Sequence, residues 1–261
     1  MSARVDELLL ELGSRLRGMN RDIGDAALDT MASFLYLSQY REFHRTVDSL
    51  VPVGARVLDW GAGIGHFAFV QSRLGRQVSA YSPRPTMYNC YNQVLEALGS
   101  AGGFDVRVGD DPVRLPFADD SFDCVVSCGV LEHVREFGGD DLGSLREIRR
   151  ILAPGGVFVC LHLPNRYSWV EYVNRRIGAH HHTFTYSYRD ITRLLGESEL
   201  RLVSHRRYGV LPKLRLARRL KSAADNLPFV HAYFAFDAIL DRVGGLVAQN
   251  HCFVAARTGR P

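Results

Sequence analysis

Hydrophobic positions in the first fifty residues recur three or four apart. Val5, Leu8, Leu9, Leu12 and Leu16 form one stripe, and Leu28, Phe34, Leu35, Leu37 and Phe43 form a second. That period predicts two amphipathic helices, over 4–20 and 25–50. The pattern then changes. Arg56-Val57-Leu58 is a short β-branched and apolar run of the kind a buried parallel strand needs, and Asp59 ends it. Gly61, Gly63 and Gly65 follow at alternate positions. From Ile64 the helical period returns through Phe67, Ala68, Val70 and Leu74, until Gly75 stops it. Residues 55–75 therefore read as strand, glycine-rich turn and helix.

Similar runs predict further strands at 77–81, 104–108, 122–127, 157–161, 201–204 and 249–257, with helices at 86–99, 142–153 and 189–197. The 122–127 run is apolar on both faces and belongs in the middle of a sheet. The chain divides into a helical cap (1–50), an α/β core (51–209), a helical insertion carrying Pro212 and Pro228 (210–248), and a last strand with its tail (249–261).

A strand–turn–helix corner places a ligand beyond the carboxyl end of the strand, against a helix N-terminus. Glycines at alternate positions suit a backbone that must approach that ligand closely or adopt positive φ. The dinucleotide fingerprint G-x-G-x-x-G is not met, because Gly65 is the third glycine and His66 takes the fingerprint position. Asp59 would repel a pyrophosphate but could orient an ammonium group or the loop amides, which favours a cationic, phosphate-free ligand.

Val57-Leu58-Asp59-Trp60-Gly61-Ala62-Gly63-Ile64-Gly65 resembles the first motif of the class I S-adenosylmethionine-dependent methyltransferases. Leu115-Pro116-Phe117-Ala118-Asp119-Asp120-Ser121-Phe122-Asp123 is similar to the family's third-to-fourth strand region. Leu131-Glu132-His133-Val134 resembles the segment after the fourth strand, and Arg150-Ile151-Leu152-Ala153-Pro154-Gly155-Gly156 the turn into the fifth. The likeness is to the small-molecule, type-11-like domain. It implies a Rossmann-like three-layer α/β sandwich with a seven-stranded, mostly parallel sheet and an antiparallel last strand. It also implies S-adenosylmethionine as cofactor, with Asp59, Gly61, Ala62 and Gly63 at its methionine end. Tyr81 and Ser82 fall at the ribose, Asp110 and then Asp111 at the adenine, and Cys128 and His133 beside the reacting methyl.

The resemblance puts an acid where this chain has Ser82. One neutral hydroxyl in place of a carboxylate forfeits on the order of 1–2 kcal/mol of charge-assisted bonding. Arg84, Tyr81 or backbone groups are the candidates to compensate. Tyr36, Tyr40 and His44 lie four apart on one predicted helix face, which either packs or lines the ligand site.

Methyl transfer is an in-line displacement, for which the protein must align the acceptor and often remove a proton. A histidine titrating near neutrality suits a hydroxyl acceptor, and the candidate order is His133, His182, His162, with His181 in the same loop as His182. The run His180-His181-His182 raises metal binding. Adjacent residues rarely direct their side chains at one ion, and no Cys or carboxylate stands at ligand spacing nearby, so no metal site is predicted.

Composition narrows the partners. A net charge of +4 is too small to imply a polyanion, so no nucleic acid is expected. Nucleobase-amine methylation is further disfavoured by Cys128-Gly129-Val130-Leu131 after the fourth strand, where that chemistry has an Asn/Asp-Pro-Pro-aromatic turn. Five cysteines without a C-x-x-C pair predict reduced thiols and a cytoplasmic location. The most apolar run, Phe229 to Leu240, contains His231 and Asp237 and cannot span a bilayer. Residues 201–221 carry eight Lys or Arg and no acid. They read either as a solvated helix face or as a docking surface for a membrane or an anionic substrate.

The expected activity is S-adenosylmethionine-dependent O-methylation of a small molecule: a sugar, a lipid-linked glycan or a secondary metabolite. N- or C-methylation, and a methyltransferase-like scaffold without catalysis, are the alternatives. A nicotinamide oxidoreductase is disfavoured by His66.

Overall fold

The computed structural model describes residues 2–83, 90–111, 113–179, 182–212 and 223–258. Seven strands form one sheet: β1 (Arg56–Trp60), β2 (Gln77–Pro83), β3 (Asp105–Gly109), β4 (Phe122–Cys128), β5 (Leu152–Pro164), β6 (Leu200–Tyr208) and β7 (Asn250–Arg257). Their order is β3-β2-β1-β4-β5-β7-β6. β7 runs antiparallel to both neighbours, and the other pairings are parallel, as the resemblance implied. The strand order reverses between β1 and β4, the position at which open α/β sheets leave a crevice for ligand.

Successive strand residues face opposite sides of the sheet. Val57, Val126 and Val159 pack on one side with Leu8, Leu12, Leu16 and Phe43 of the N-terminal helices and with Phe67. Leu58, Val125 and Phe158 pack on the other with Leu145, Ile148 and Leu194. The result is a three-layer α/β fold of the Rossmann-like type. On the first side lie α1 (Ser2–Ile23), α2 (Ala26–Met31), α3 (Phe34–Ser38), α4 (Arg41–Leu50), α5 (His66–Arg73) and α6 (Tyr91–Gly102). On the second lie α7 (Asp141–Ile151) and α9 (Tyr188–Glu197); α8 (Trp169–Arg176) follows β5, and α10 (Leu227–Gly244) precedes β7.

The predicted helix over 25–50 is three short helices. Asp25 caps α2 and Ser33 caps α3. The first amides of α3 are taken by distant partners: Phe34 N–H donates to Asp225 Oδ1 at 2.8 Å and Leu35 N–H to Ala224 O at 2.8 Å. Those tertiary acceptors replace the carbonyls a continuous helix would have used. Of the helix expected over 86–99, residues 86–89 lie outside the described residues, and the described helix runs Tyr91–Gly102. β5 begins five residues before its expected start, with a register irregularity against β4 between Phe122 and Cys124.

The basic stretch 201–221 is not a helix face over its first part. Arg201, Arg206 and Arg207 lie on β6, an edge strand, where charged side chains discourage pairing with another sheet. Residues 213–221 lie outside the described residues. α10 is joined to the end of β6 by its acids: Asp237 Oδ1 accepts from Leu211 N and Asp241 Oδ1 from Gly209 N, both at 2.9 Å. Among the described residues, no helix is long and apolar enough to cross a membrane.

Candidate functional site

β1 runs on through Trp60, so Asp59 lies inside the strand instead of just past it. It is 3% exposed, and its Oδ2 accepts from Ala68 N at 3.2 Å, ordering the first turn of α5. Burial raises its pKa to about 7, against the lowering effect of that hydrogen bond. The amides of Gly61 and Ala62 both donate to Tyr81 O at 2.9 Å, tying the turn to β2. Gly61 has φ +74°, and a Cβ there would stand 2.3 Å from Val130 Cγ2. Gly63 has φ +55°, and a Cβ there would meet nothing nearer than Tyr91 Cε2 at 3.9 Å. Gly61 and Gly63 are half-buried, whereas Ala62 is buried. The turn is thus bare backbone locked from behind and open in front at Gly63, with an acid behind it.

At the neighbouring strand ends, Tyr81 donates its hydroxyl to Asp111 O at 3.1 Å. Ser82 is buried within β2, one residue inside the strand's end and not beyond it as expected. Arg84 lies outside the described residues. The two aspartates separate clearly. Asp111 Oδ1 accepts from Val113 N and Arg114 N, both at 2.8 Å, which holds the loop and keeps its pKa below the usual carboxylate value. Asp110 is exposed and its side chain makes no hydrogen bond among the described residues.

A row of rings crosses the strand ends. Tyr40 lies 4.1 Å from the His66 ring and 5.4 Å, edge-on, from the His162 ring. Tyr36 and Tyr40 hydroxyls are 3.4 Å apart. His44 is elsewhere: it is fully buried, stacks on Phe67 and accepts from Gln71 Nε2 at 2.8 Å. Of the three residues predicted to share a face, two reach the site and one is core, because the chain breaks between α3 and α4. His162 has φ +61°, an unusual left-handed conformation at the β5–β7 irregularity between Cys160 and Leu163. Burial pushes the His66 imidazole down to about 4. The Cys128 thiol is pushed well up, by burial first and then by the nearby charges of Asp59 and Glu132.

The turn after β4 carries Glu132 and His133, and the structure brings His182 to them across 49 positions of sequence. One ligand atom of each lies within 4.8 Å of the others. His133 Nδ1 is 2.8 Å from Glu136 Oε2, and His182 Nδ1 is 2.9 Å from Glu171 Oε1. Burial lowers the basicity of His182, but the Glu171 hydrogen bond and the Glu132 charge outweigh it, so its pKa is raised. The expectation that no carboxylate accompanies the histidine run needs correction. Sequence spacing shows only local neighbours, whereas Glu132 and Glu171 arrive through the fold. His181 lies outside the described residues.

Asp59, Gly61, Ala62, Gly63 and Cys128 thus gather at the ends of β1 and β4, and Tyr81, Ser82, Asp110 and Asp111 at the ends of β2 and β3. His133 and His182 are together, while His162 stands with Tyr40 and Tyr208. Sequence reasoning missed Glu132, Glu171 and Tyr208 as site residues. Glu132 was visible only within its motif, and the other two carry no local signal.

Residues 58–160 match the family model described as Methyltransferase domain. An uncharacterized methyltransferase of Mycobacterium leprae is 36% identical over 108 residues, which cover 41% of this chain and 37% of that protein. A ubiquinone biosynthesis O-methyltransferase of Xanthomonas campestris pv. campestris is 31% identical over 158 residues, 57% of this chain and 64% of that one. The chain therefore spans 37% and 64% of the length of these two relatives. Phosphoethanolamine N-methyltransferase 2 of Haemonchus contortus, solved with S-adenosyl-L-methionine, shares the fold with a TM-score of 0.61 at 16% identity, covering 92% of this chain and 60% of that one. Residues 58–160 are thus similar to a methyltransferase domain, and the chain shares its fold with a methyltransferase solved with S-adenosyl-L-methionine.

Proposed function

We propose that this chain transfers a methyl group from S-adenosylmethionine to a hydroxyl of a small molecule. The observation that carries the reading is the Gly61–Gly63 turn, locked by Val130 and Tyr81 O with Asp59 behind it. When bound, the cofactor supplies an electrophilic methyl on a positively charged sulfur. Gly61, Ala62 and Gly63 present backbone to its amino-acid end, and Asp59 sets a carboxyl group near that positive charge. Asp110 is the acid left for the adenine, since Asp111 holds its own loop. Tyr81 and Ser82 border the ribose side. Cys128 and His133 stand at the end of β4.

Three histidines are candidates to take the acceptor's proton. His182 has its basicity raised by carboxylates, His133 is held by Glu136, and His162 is held by Tyr208. The relative named for O-methylation in ubiquinone biosynthesis agrees with an oxygen acceptor. A sugar, a lipid-linked glycan or a secondary metabolite fits the half-exposed aromatic residues Trp169 and Tyr172 on α8. In this reading 1–50 form a helical cap over the 51–209 core, 210–248 a lid or docking surface, and 249–261 complete the sheet. The basic residues of 201–221 supply a peripheral contact for an anionic substrate or membrane.

Calorimetric titration with S-adenosylmethionine and S-adenosylhomocysteine tests the reading, with micromolar binding expected and absence of heat at about 1 mM ligand refuting it. The second reading, a scaffold that binds without turnover, is favoured by Ser82 in the place of an acid. It predicts binding in that titration with no methyl transfer to any hydroxylated acceptor.

A further inference from the structure

Glu132 is 1% exposed, and neither of its carboxylate oxygens has a hydrogen-bond partner on another described residue. Buried carboxylates are ordinarily hydrogen-bonded, paired with a cation or bound to a metal. No Lys or Arg is paired with Glu132 among the described residues. Its carboxylate instead closes on His133 and His182, with one ligand atom of each within 4.8 Å of the others. A zinc-like ion holding nitrogen and oxygen at about 2.0–2.2 Å needs such atoms roughly 3.3 Å apart. Binding therefore requires these side chains to turn inward.

The surroundings are those of a metal site. His133 and His182 each have Nδ1 on a carboxylate, Glu136 at 2.8 Å and Glu171 at 2.9 Å. A carboxylate on one ring nitrogen orients a ligating histidine and raises the basicity of the other nitrogen. Glu136 is itself held by Thr183, next to His182, so the turn after β4 and the loop before α9 are fastened together here. Three carboxylates thus converge on two imidazoles, and Glu132 and Glu171 are both buried.

We propose that Glu132, His133 and His182 bind a divalent first-row transition cation of the zinc or manganese class. Two imidazoles and one carboxylate suit such ions, whereas magnesium and calcium prefer all-oxygen sites. Three protein ligands leave coordination positions open, as in catalytic rather than structural sites. The site borders the methyl-transfer corner: an ideal Cβ on Gly129 would lie 3.8 Å from Glu132 Oε1 and 4.0 Å from His162 Cβ. An acceptor hydroxyl or vicinal diol coordinated there would lose a proton more readily. That use of the cation rests on the methyltransferase reading; the cation site itself does not.

The test uses the untagged full chain, stripped with chelator and dialysed. Zn2+ and Mn2+ are titrated separately by calorimetry, with S-adenosylhomocysteine titrated in a parallel arm. One equivalent of metal should bind with micromolar or tighter affinity. Glu132→Gln and His182→Gln should each weaken it by at least tenfold, and Glu171→Gln by about 10–100-fold. Unaltered far-ultraviolet circular dichroism confirms the fold of each variant. If one variant does not fold, the other two decide. No stoichiometric binding of either ion, or binding that the folded variants leave unchanged, overturns the proposal. Metal binding without nucleoside binding leaves this site standing and removes the methyltransferase reading; the reverse removes only this site.

Discussion

The hydroxyl of Tyr208 on β6 holds His162 on β5 twice, accepting from its backbone N–H at 3.0 Å and bonding its Nδ1 at 2.8 Å. This bond spans 46 positions of sequence and holds His162 in a left-handed conformation that costs about 1–2 kcal/mol for a residue with a Cβ. Tyr208→Phe should therefore destabilise the protein by about 1–3 kcal/mol, by orphaning a buried amide and a ring nitrogen. Urea unfolding measures this. An unchanged midpoint would show that the pair does not restrain His162.

Gly61 and Gly63 should separate stability from binding. Gly61→Ala adds a Cβ at 2.3 Å from Val130 Cγ2 at φ +74°, so strain and overpacking together should cost about 2–4 kcal/mol. Gly63→Ala places its Cβ in open space at φ +55°, at about 1 kcal/mol of strain. Its main effect should be on S-adenosylhomocysteine affinity, lowered at least tenfold. Thermal unfolding beside calorimetry distinguishes the two, and equal destabilisation by both variants would contradict the geometry.

The Asp59 carboxyl has a folded pKa of about 7 against an ordinary 3.8, because of burial. The folded state therefore holds its proton over a window in which the unfolded chain has lost it. Stability from this group is greatest below pH 3.8 and falls as pH rises through the window toward 7. Relative to Asp59→Asn, the free protein should lose roughly 2–4 kcal/mol between about pH 4 and 7. Denaturant unfolding of both proteins across that range checks the slope, and parallel pH profiles would exclude it.

His44 has the opposite sign. Burial lowers its pKa from 6.5 to about 3, so it stays neutral when folded while the unfolded chain takes up a proton. Stability is present above pH 6.5 and is lost as pH falls through that window. His44→Leu should be less stable at pH 7 by about 1–3 kcal/mol, since it orphans the Gln71 amide. It should nevertheless lose less stability than the wild type on acidification to about pH 5. Crossing of the two melting-temperature profiles toward each other is the expected measurement; divergence would refute the assignment.

Asp110→Asn should leave the melting temperature unchanged and weaken nucleoside binding. Asp111→Asn should do the reverse, costing about 1 kcal/mol through the loss of charge-assisted bonds to Val113 N and Arg114 N. Reversed effects on binding would move the adenine contact to Asp111.

The sheet was legible because each strand carries its own evidence. The apolar runs at Val57 and Val125 mark buried parallel strands, and the glycines after Asp59 mark a turn that must leave backbone bare. The break at Ser33 was not legible, since the groups that end the helix there are Asp225 and Ala224, far along the chain. The strand expected at 201–204 is present and runs Leu200–Tyr208, which puts the first basic residues of the 201–221 stretch on a sheet edge. Charge composition does not say whether a segment faces water from a helix or from the edge of a sheet.

The sequence by itself determined the alternation of strands and helices, the glycine corner and the resemblance to a methyltransferase domain, all of which depend on contacts between near neighbours or on ordered local motifs. Only the tertiary structure decided that Tyr208 holds His162, that Asp111 is used up in its own loop while Asp110 is not, and that Glu132, His133 and His182 share one place. Side chains that meet across forty or more residues leave no periodic trace in the chain, because their proximity is set by sheet order and helix packing, not by spacing.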